Sequence, residues 1–220
     1  MGKSKVANIP EYASAEPYAI FAVFDLELTG LNPDEDRVVE AAVVLCDQDG
    51  KPLFVYETLV NPGRDTGPVH IHHITNDMVI NAPKFEEVGE DLMEFFHNRI
   101  VVGLNNSLDF SCLTREYDSM GIDFKSGDSL DLSPILRDSK FTDMFEEEIM
   151  NAINSQEIEH RALADTLVAV AILPYALEFA RLFPERVKSY SKAKVVVQNR
   201  TPLDGRAIEP RALLRNPFDS

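Results

Sequence analysis

An apolar run followed by two carboxylates constrains this chain more than any other stretch. Residues Ile20 to Phe24 are apolar and predict a buried strand, and Asp25 and Glu27 follow two residues apart. Because side chains alternate between the faces of a strand, both carboxylates point to the same side. Two like charges at the end of a buried strand repel each other and lose hydration unless a cation lies between them. The pair therefore indicates a divalent-metal site, although a strand that simply ends in polar residues explains these residues equally well.

Size and composition bound the class of protein. The chain has 220 residues, 45% of them hydrophobic, which suits one domain with a sizeable core. No apolar run approaches the ~20 residues of a membrane span, and the N-terminus lacks the apolar stretch of a secretory signal. Cys46 and Cys112 give neither a disulfide framework nor a zinc pattern. We expect a cytoplasmic protein with no membrane partner.

Charge is distributed unevenly along the chain. The net charge of −16 argues against general binding of nucleic acid through basic residues, but not against binding through metal ions. From Arg181 onward, nine Lys and Arg stand against four Asp and Glu, a net charge of +5. We therefore divide the chain into an N-terminal arm (1–16), a domain (17–184) and a basic C-terminal extension (185–220). The extension either packs over the domain or docks nucleic acid or a partner chain.

The hydrophobic pattern predicts a mixed α/β fold. Two further strands, 38–46 and 54–60, are joined by a hairpin turn signal, so the first three strands form an antiparallel meander. Thr75 is a candidate cap for a short helix. Longer helices are predicted at 85–97, 108–120, 141–153 and 161–182, the last kinked or broken at Pro174. Short strands are predicted at 100–104, 129–132 and 194–198. This order indicates a mixed sheet of meander and parallel strands flanked by helices.

Three later residues are candidates to join the first carboxylates. Asp109 follows strand 100–104 and opens a helix, so it lies near a strand end where ligands gather, although helix starts often carry a capping Asp. On a continuous helix His160 and Asp165 would lie about 140° apart. They could share a site only if His160 precedes the helix. The alternative is a surface His and an Asp that faces solvent, but the neighbours of Asp165 are apolar.

The order of these residues resembles the DEDDh group of 3′–5′ exonucleases, which are DnaQ-like members of the ribonuclease H-like superfamily. Residues 24–31, 102–109 and 160–165 resemble the three motifs of that group, and the resemblance runs from about Tyr18 to Ala180. Segments 72–75 and 130–132 lie where such enzymes carry secondary landmarks. Leu104, Asn106 and Leu108 replace frequent family residues in the second motif. The chain is more similar to polymerase III epsilon-like and ribonuclease T-like members than to the oligoribonuclease branch.

The resemblance implies a role for each motif residue. The implied ligands of two Mg²⁺ ions, for which Mn²⁺ can substitute, are Asp25, Glu27, Asp109 and Asp165. His160 is the implied general base, a task that suits an imidazole near neutral pH. Substrate contacts are implied for Leu28, Thr29, His72 and Asn105. Leu28 and Thr29 line the terminal-nucleotide pocket, His72 approaches the same nucleotide, and Asn105 braces the second motif.

The implied activity is metal-dependent release of nucleoside 5′-monophosphates from single-stranded 3′ ends, with DNA favoured over RNA. A second hypothesis is a subunit of a polymerase or repair complex, whose basic tail docks a partner and whose exonuclease activity is secondary. The sequence leaves the oligomeric state open, a homodimer included.

Overall fold

A central strand flanked on both sides by other strands carries the two carboxylates. The computed structural model describes residues 16–125, 127–154 and 160–187. Within them the strands are β1 (Phe21–Leu28), β2 (Val38–Cys46), β3 (Pro52–Leu59), β4 (Ile100–Gly103) and β5 (Ser129–Asp131). The helices are α1 (Val69–His72), α2 (Asn76–Val79), α3 (Phe85–Phe96), α4 (Ser107–Ser119), α5 (Ser133–Leu136), α6 (Ser139–Asn154), α7 (Ala162–Leu182) and α8 (Pro184–Val187).

The sheet has the mixed topology that the pattern predicts. Its strand order is β3-β2-β1-β4-β5. β1 pairs antiparallel with β2 and parallel with β4, and β4 pairs parallel with β5. The meander and the parallel strands are thus confirmed. The place where β1 and β4 end side by side is the kind of position where ligands bind in α/β sheets.

The two faces of β1 pack against different helices. Ala22, Phe24 and Leu26 belong to an apolar cluster with residues of α3 and α4. Phe21 and Val23 belong to a second cluster, to which α7 contributes a long row of buried residues. Because Asp25 and Glu27 continue the alternation of Phe21 and Val23, they point to the side of the sheet that α7 covers.

Helix α7 differs from the prediction at Pro174. It continues through Pro174 without a break, because its apolar residues pack against β1 and β2 on either side of the proline. A Cβ on Gly50 would lie 3.2 Å from the Pro174 ring, so the β2–β3 turn packs closely there. By length and composition alone this 21-residue helix is apolar enough to cross a membrane, although Asp165, Glu178 and Arg181 interrupt its apolar run, as the sequence predicts. Half of the most apolar 18-residue segment of this helix is buried inside the protein, which is typical of a core helix.

Three further predictions concern the helix at 139–154, the cap at Thr75 and the two ends of the chain. The helix 139–154 departs from helical geometry at Phe145, with φ −130° and ψ 29°. Thr75 is the residue that precedes α2, as expected for a cap. The N-terminal arm apart from Glu16, the strand at 194–198 and the extension after Val187 lie outside the described residues.

Candidate active site

Three carboxylates from two elements meet at the end of β1. Asp25 and Glu27 lie on one face of β1, and Asp165 lies in the first turn of α7. One carboxylate oxygen from each of these residues lies within 4.8 Å of the other two, and all three side chains are half-buried. This spacing allows one cation to contact all three carboxylates.

Asp109 lies close enough to the cluster for its charge to act on Asp25 and Glu27. It is the third residue of α4, and only 8% of it is exposed. It is not part of the three-residue cluster, yet after burial its charge makes the largest contribution to the raised pKa of Asp25. The charge of Asp131 also raises the pKa of Asp109, and the Asp131 carboxylate accepts the backbone N–H groups of Asn105 and Ser133 at 3.0 and 2.9 Å.

Burial and mutual repulsion disfavour the charged form of these carboxyl groups. Burial raises the pKa of Glu27 to about 8, and the neighbouring Asp165 adds to the effect. Burial also raises the pKa of Asp109 to about 7, with a further contribution from Asp131. The pKa of Asp25 is raised well above its usual range by burial and then by Asp109. A divalent cation reverses this balance, and hard carboxylate oxygens are the ligands that Mg²⁺ and Mn²⁺ prefer, so the residues fit such an ion.

His160 lies before helix α7, which is the position that it needs in order to share a site with Asp165. Helix α7 begins at Ala162, and Arg161 before it is extended, with φ −136° and ψ 136°. His160 therefore precedes the helix and is exposed. Its positive form lowers the pKa of Asp165, against the larger upward effect of burial, so the two residues are electrostatic neighbours.

Leu28 and Thr29 are built into the protein at the end of β1. Leu28 is 8% exposed and packs in the cluster that faces α3 and α4. The Thr29 hydroxyl donates to Asp36 Oδ1 at 2.7 Å and accepts the Arg37 N–H at 3.0 Å. These bonds close the loop between β1 and β2. Thr29 thus shapes the rim of the site.

His72 is placed as a brace. It is 1% exposed, its Nδ1 accepts the Ile74 N–H at 3.0 Å, and its Nε2 contacts the Thr66 carbonyl at 3.1 Å. Since Nδ1 accepts, Nε2 carries the proton and donates it to Thr66. Next to Thr66 is Gly67, where an added Cβ would lie 2.0 Å from the Thr29 carbonyl oxygen. His72 therefore holds this loop against the end of β1, and a direct contact of its ring nitrogens with a nucleotide would have to break one of these bonds.

Asn105 is exposed and has a positive φ of 55°. Its backbone N–H, which donates to Asp131, makes the link that braces the turn before α4.

Sequence reasoning missed three residues near the site. Glu40 lies directly opposite Glu27 in the β1–β2 pairing and is 0% exposed. Asn106, which precedes α4, is 5% exposed, and its side-chain Nδ2 is buried without a hydrogen-bond partner. Leu31, in the loop after β1, is 84% exposed. A lone Glu in the otherwise apolar strand 38–46 was the signal for the first, and an Asn at a helix start was a weaker signal for the second.

Residues 22–173 match the family described as exonuclease, RNase_T. The subunit epsilon of DNA polymerase III of Treponema pallidum is 36% identical over 101 residues, which are 45% of this chain and 46% of that protein. A PolC-type DNA polymerase III of Lacticaseibacillus paracasei is 34% identical over 173 residues, 76% of this chain and 12% of that protein. The chain thus spans less than half the length of these curated relatives.

Solved structures share the fold. The zinc-bound form of E. coli exonuclease I in complex with single-stranded DNA superimposes with a TM-score of 0.65 and 16% identity, over 78% of this chain and 42% of that chain. Exonuclease X in complex with 5′-overhanging duplex DNA superimposes with a TM-score of 0.53 and 22% identity, over 78% of this chain and 99% of that chain.

Proposed function

Because this chain belongs to the exonuclease family RNase_T, we propose that it is a 3′–5′ exonuclease of the DEDDh type that acts on single-stranded DNA ends. The DnaQ-like resemblance of the sequence is confirmed by the family match and by the ribonuclease H-like fold. The products are nucleoside 5′-monophosphates.

One observation carries this proposal. Asp25, Glu27 and Asp165 present oxygens within 4.8 Å of one another, although 140 residues separate the first from the last along the chain. The charges of Asp109 and His160 act on residues of the same cluster, Asp109 on Asp25 and His160 on Asp165. Carboxylates that repel each other in a half-buried site are costly to keep unless a cation uses them.

Divalent ions fit this donor set. The proposed ligands of two Mg²⁺ or Mn²⁺ ions are Asp25, Glu27, Asp109 and Asp165. When bound, such ions supply electrostatic stabilisation of the phosphate charge and make water a stronger acid. Their charges also offset the carboxylates, so that an anionic phosphodiester can enter an acidic protein.

The chain supplies the proton acceptor. His160 lies at the rim and next to Asp165, where its imidazole can take a proton from the attacking water. The oxygen of that water forms the new bond to phosphorus, and the bond between phosphorus and the 3′-oxygen breaks. The 3′-oxygen leaves with a proton from solvent, which shortens the strand by one nucleotide.

The surroundings of the site suit a single strand. Leu31, exposed in the loop directly after β1, is available for apolar contact with a base that is not paired. The relatives named above are DNA polymerase III chains, and the two solved structures named above contain DNA. These observations support DNA as the preferred substrate, with RNA as the alternative.

A time course with 5′-labelled single-stranded and double-stranded DNA and RNA, in Mg²⁺ and in EDTA, tests the proposal. We expect a ladder that shortens from the 3′ end, fastest on single-stranded DNA, and no cleavage in EDTA. Asp165→Asn should lower the rate by several orders of magnitude. Its matched control is Asp123→Asn, since the Asp123 side chain is 80% exposed. Cleavage at the control's rate by Asp165→Asn, or in EDTA, contradicts the proposal.

A second candidate is an exonuclease subunit of a polymerase complex, in which the basic extension docks a partner. The names of the relatives and the net charge of the extension favour it. A truncation after Val187 is suitable for the test, because it keeps the pair of Arg186 with the buried Asp138 and the buried side chain of Val187. Removal of 188–220 should leave the rate on free oligonucleotide unchanged and abolish co-purification with polymerase subunits. A lost rate with no partner captured by the full chain contradicts docking.

A further inference from the structure

A fifth carboxylate lies beside the proposed metal ligands but is arranged for a different task. Glu40 of β2 is opposite Glu27 of β1, so both side chains lie on the face of the sheet that α7 covers. Glu40 is 0% exposed, whereas Glu27 is half-buried. Glu40 is not one of the three residues whose oxygens converge within 4.8 Å.

Arg161 and the start of α7 occupy both oxygens of Glu40. The Nε of Arg161 donates to Oε1 and Oε2 at 3.0 and 2.9 Å, and its Nη2 also donates to Oε1. The backbone N–H of Ala162, the first residue of α7, donates to Oε2 at 2.9 Å. A carboxylate that accepts the first N–H of a helix also interacts favourably with the positive end of the helix dipole.

These contacts hold two site residues at once. Arg161 directly follows His160, and Asp165 lies in the turn of α7 that Ala162 begins. Glu40 belongs to the strand next to the one that carries Asp25 and Glu27. The ion pair thus adds a polar link between the start of α7 and the sheet that carries the β1 carboxylates, beside the apolar packing of α7 on β1 and β2.

The same pair corrects the charge of the site. Arg161 is 26% exposed and also lies 3.9 Å from Glu57 of β3. It neutralises Glu40 and lowers the pKa of Glu27, against the larger upward effect of burial. The carboxylates left for cations are Asp25, Glu27, Asp109 and Asp165.

We propose that Glu40 and Arg161 are positioning residues, which fix the start of α7 so that His160 and Asp165 reach the carboxylates of β1. This inference rests on the proposed function for its effect on cleavage, but its effects on metal binding and on α7 are independent of any substrate.

Four variants separate positioning from general stability. Arg161→Met removes the charge and keeps the length of the side chain, and Arg161→Lys keeps the charge without the two-pronged contact. Glu40→Gln keeps an acceptor for the Ala162 N–H. The matched control is Arg186→Met, because Arg186 of α8 makes a bidentate pair with the buried Asp138, at 2.9 and 3.0 Å, and contacts none of the proposed metal ligands in the described chain.

The first two measurements do not depend on cleavage of nucleic acid. Hydrogen exchange of the amides at the start of α7 and titration calorimetry with Mn²⁺ are measured on the full chain. In Arg161→Met we expect faster exchange at Ala162 and a metal affinity lower by roughly 10- to 100-fold, the usual effect of losing a residue that orients metal ligands. Arg161→Lys should recover part of this loss. Combining Glu40→Gln with Arg161→Met should cost little more than Arg161→Met alone, since the two residues act as a unit.

The cleavage assay then divides KM from kcat. We expect Arg161→Met to lower kcat more than it raises KM, and Arg186→Met to keep both values while it lowers the unfolding temperature. Wild-type metal affinity and wild-type exchange in folded Arg161→Met and Arg161→Lys overturn the inference. If the wild-type chain binds Mn²⁺ and cleaves no nucleic acid, the proposed function fails, and the loss of metal affinity in Arg161→Met still decides the inference.

Discussion

At the scale of single residues, the partner of each buried carboxylate reveals its task. Within the described part of the chain, Glu40, Glu116 and Asp138 are buried, and each contacts an arginine at 3.0 Å or less. Asp109 is also buried, yet the charged groups that interact with it are carboxylates, and no arginine or lysine of the described chain pairs with it. Buried charges are retained in proteins when they are paired or when they bind metal. We therefore expect a cation from solution to bind at Asp109 and to neutralise its carboxylate.

The raised pKa values predict how metal binding depends on pH. Glu27 and Asp109 have a pKa of about 8 and about 7 in the folded chain, above the ~4 of unfolded carboxyl groups. Each therefore binds its proton more tightly when folded, and its contribution to stability is full below about pH 4 and lost as the pH rises through about 7 to 8. Because metal ligands must be deprotonated, stabilisation by Mg²⁺ should grow over the same window.

Thermal unfolding with and without Mg²⁺ checks this prediction. We expect a larger rise of the unfolding temperature at pH 8.5 than at pH 6. In Glu27→Gln the rise should be small at both values, and in Asp123→Asn it should follow the wild type. A rise that is the same at both pH values in the wild-type chain contradicts the prediction.

At the scale of elements, the sequence predicts what repeats and misses what depends on tertiary contacts. The strands β1 to β3 and the helices α3, α4, α6 and α7 have eight residues or more each, and the apolar patterns along them are long enough to be recognised in the sequence. The helices α1, α5 and α8 have four residues each, too few to show a period, and such helices form through their packing. The residues of the candidate site also differ in how far the sequence predicts their positions. That Asp25 and Glu27 point to the same face follows from the alternation of side chains along a strand. The position of Glu40 beside them depends on the register between β1 and β2, which the sequence does not show.

The unbroken passage of α7 through Pro174 leads to a prediction about stability. Proline in a helix interior lacks the N–H for the bond to the carbonyl four residues earlier and costs about 3 kcal/mol relative to alanine. Pro174 is exposed, so little core packing depends on it, although its ring touches the turn at Gly50. Pro174→Ala should raise the free energy of unfolding by about 1 kcal/mol, less than the full difference because this contact is lost.

Urea denaturation measures the change, and the cleavage rate serves as its control. Since Pro174 lies nine residues beyond Asp165, about 13 Å along the helix axis, we expect an unchanged kcat. A less stable Pro174→Ala protein would show that the ring contact with the turn outweighs the restored hydrogen bond.

At the scale of the whole molecule, an acidic protein that degrades nucleic acid must overcome repulsion. The net charge is −16, and the excess of positive charge lies in the C-terminal part of the chain. A protein that holds phosphates with lysine and arginine releases counterions when it binds, so added salt and divalent ions weaken its complexes. In this chain we propose that the phosphates of the nucleic acid are attracted by divalent ions that the carboxylates bind. Divalent ions should therefore have the opposite effect on its affinity.

We predict that Mn²⁺ strengthens the binding of single-stranded DNA to this chain at constant ionic strength. The measurement uses fluorescence anisotropy with His160→Ala, which keeps the four proposed ligands and leaves the oligonucleotide uncut. A chain that also lacks 188–220 removes the basic extension, so any gain in affinity comes from the acidic body. Adding Asp109→Ala should abolish most of the gain, because one proposed ligand is lost. If Mn²⁺ weakens binding in all three proteins, the phosphates are held by basic side chains, and the carboxylate cluster has a role other than substrate binding.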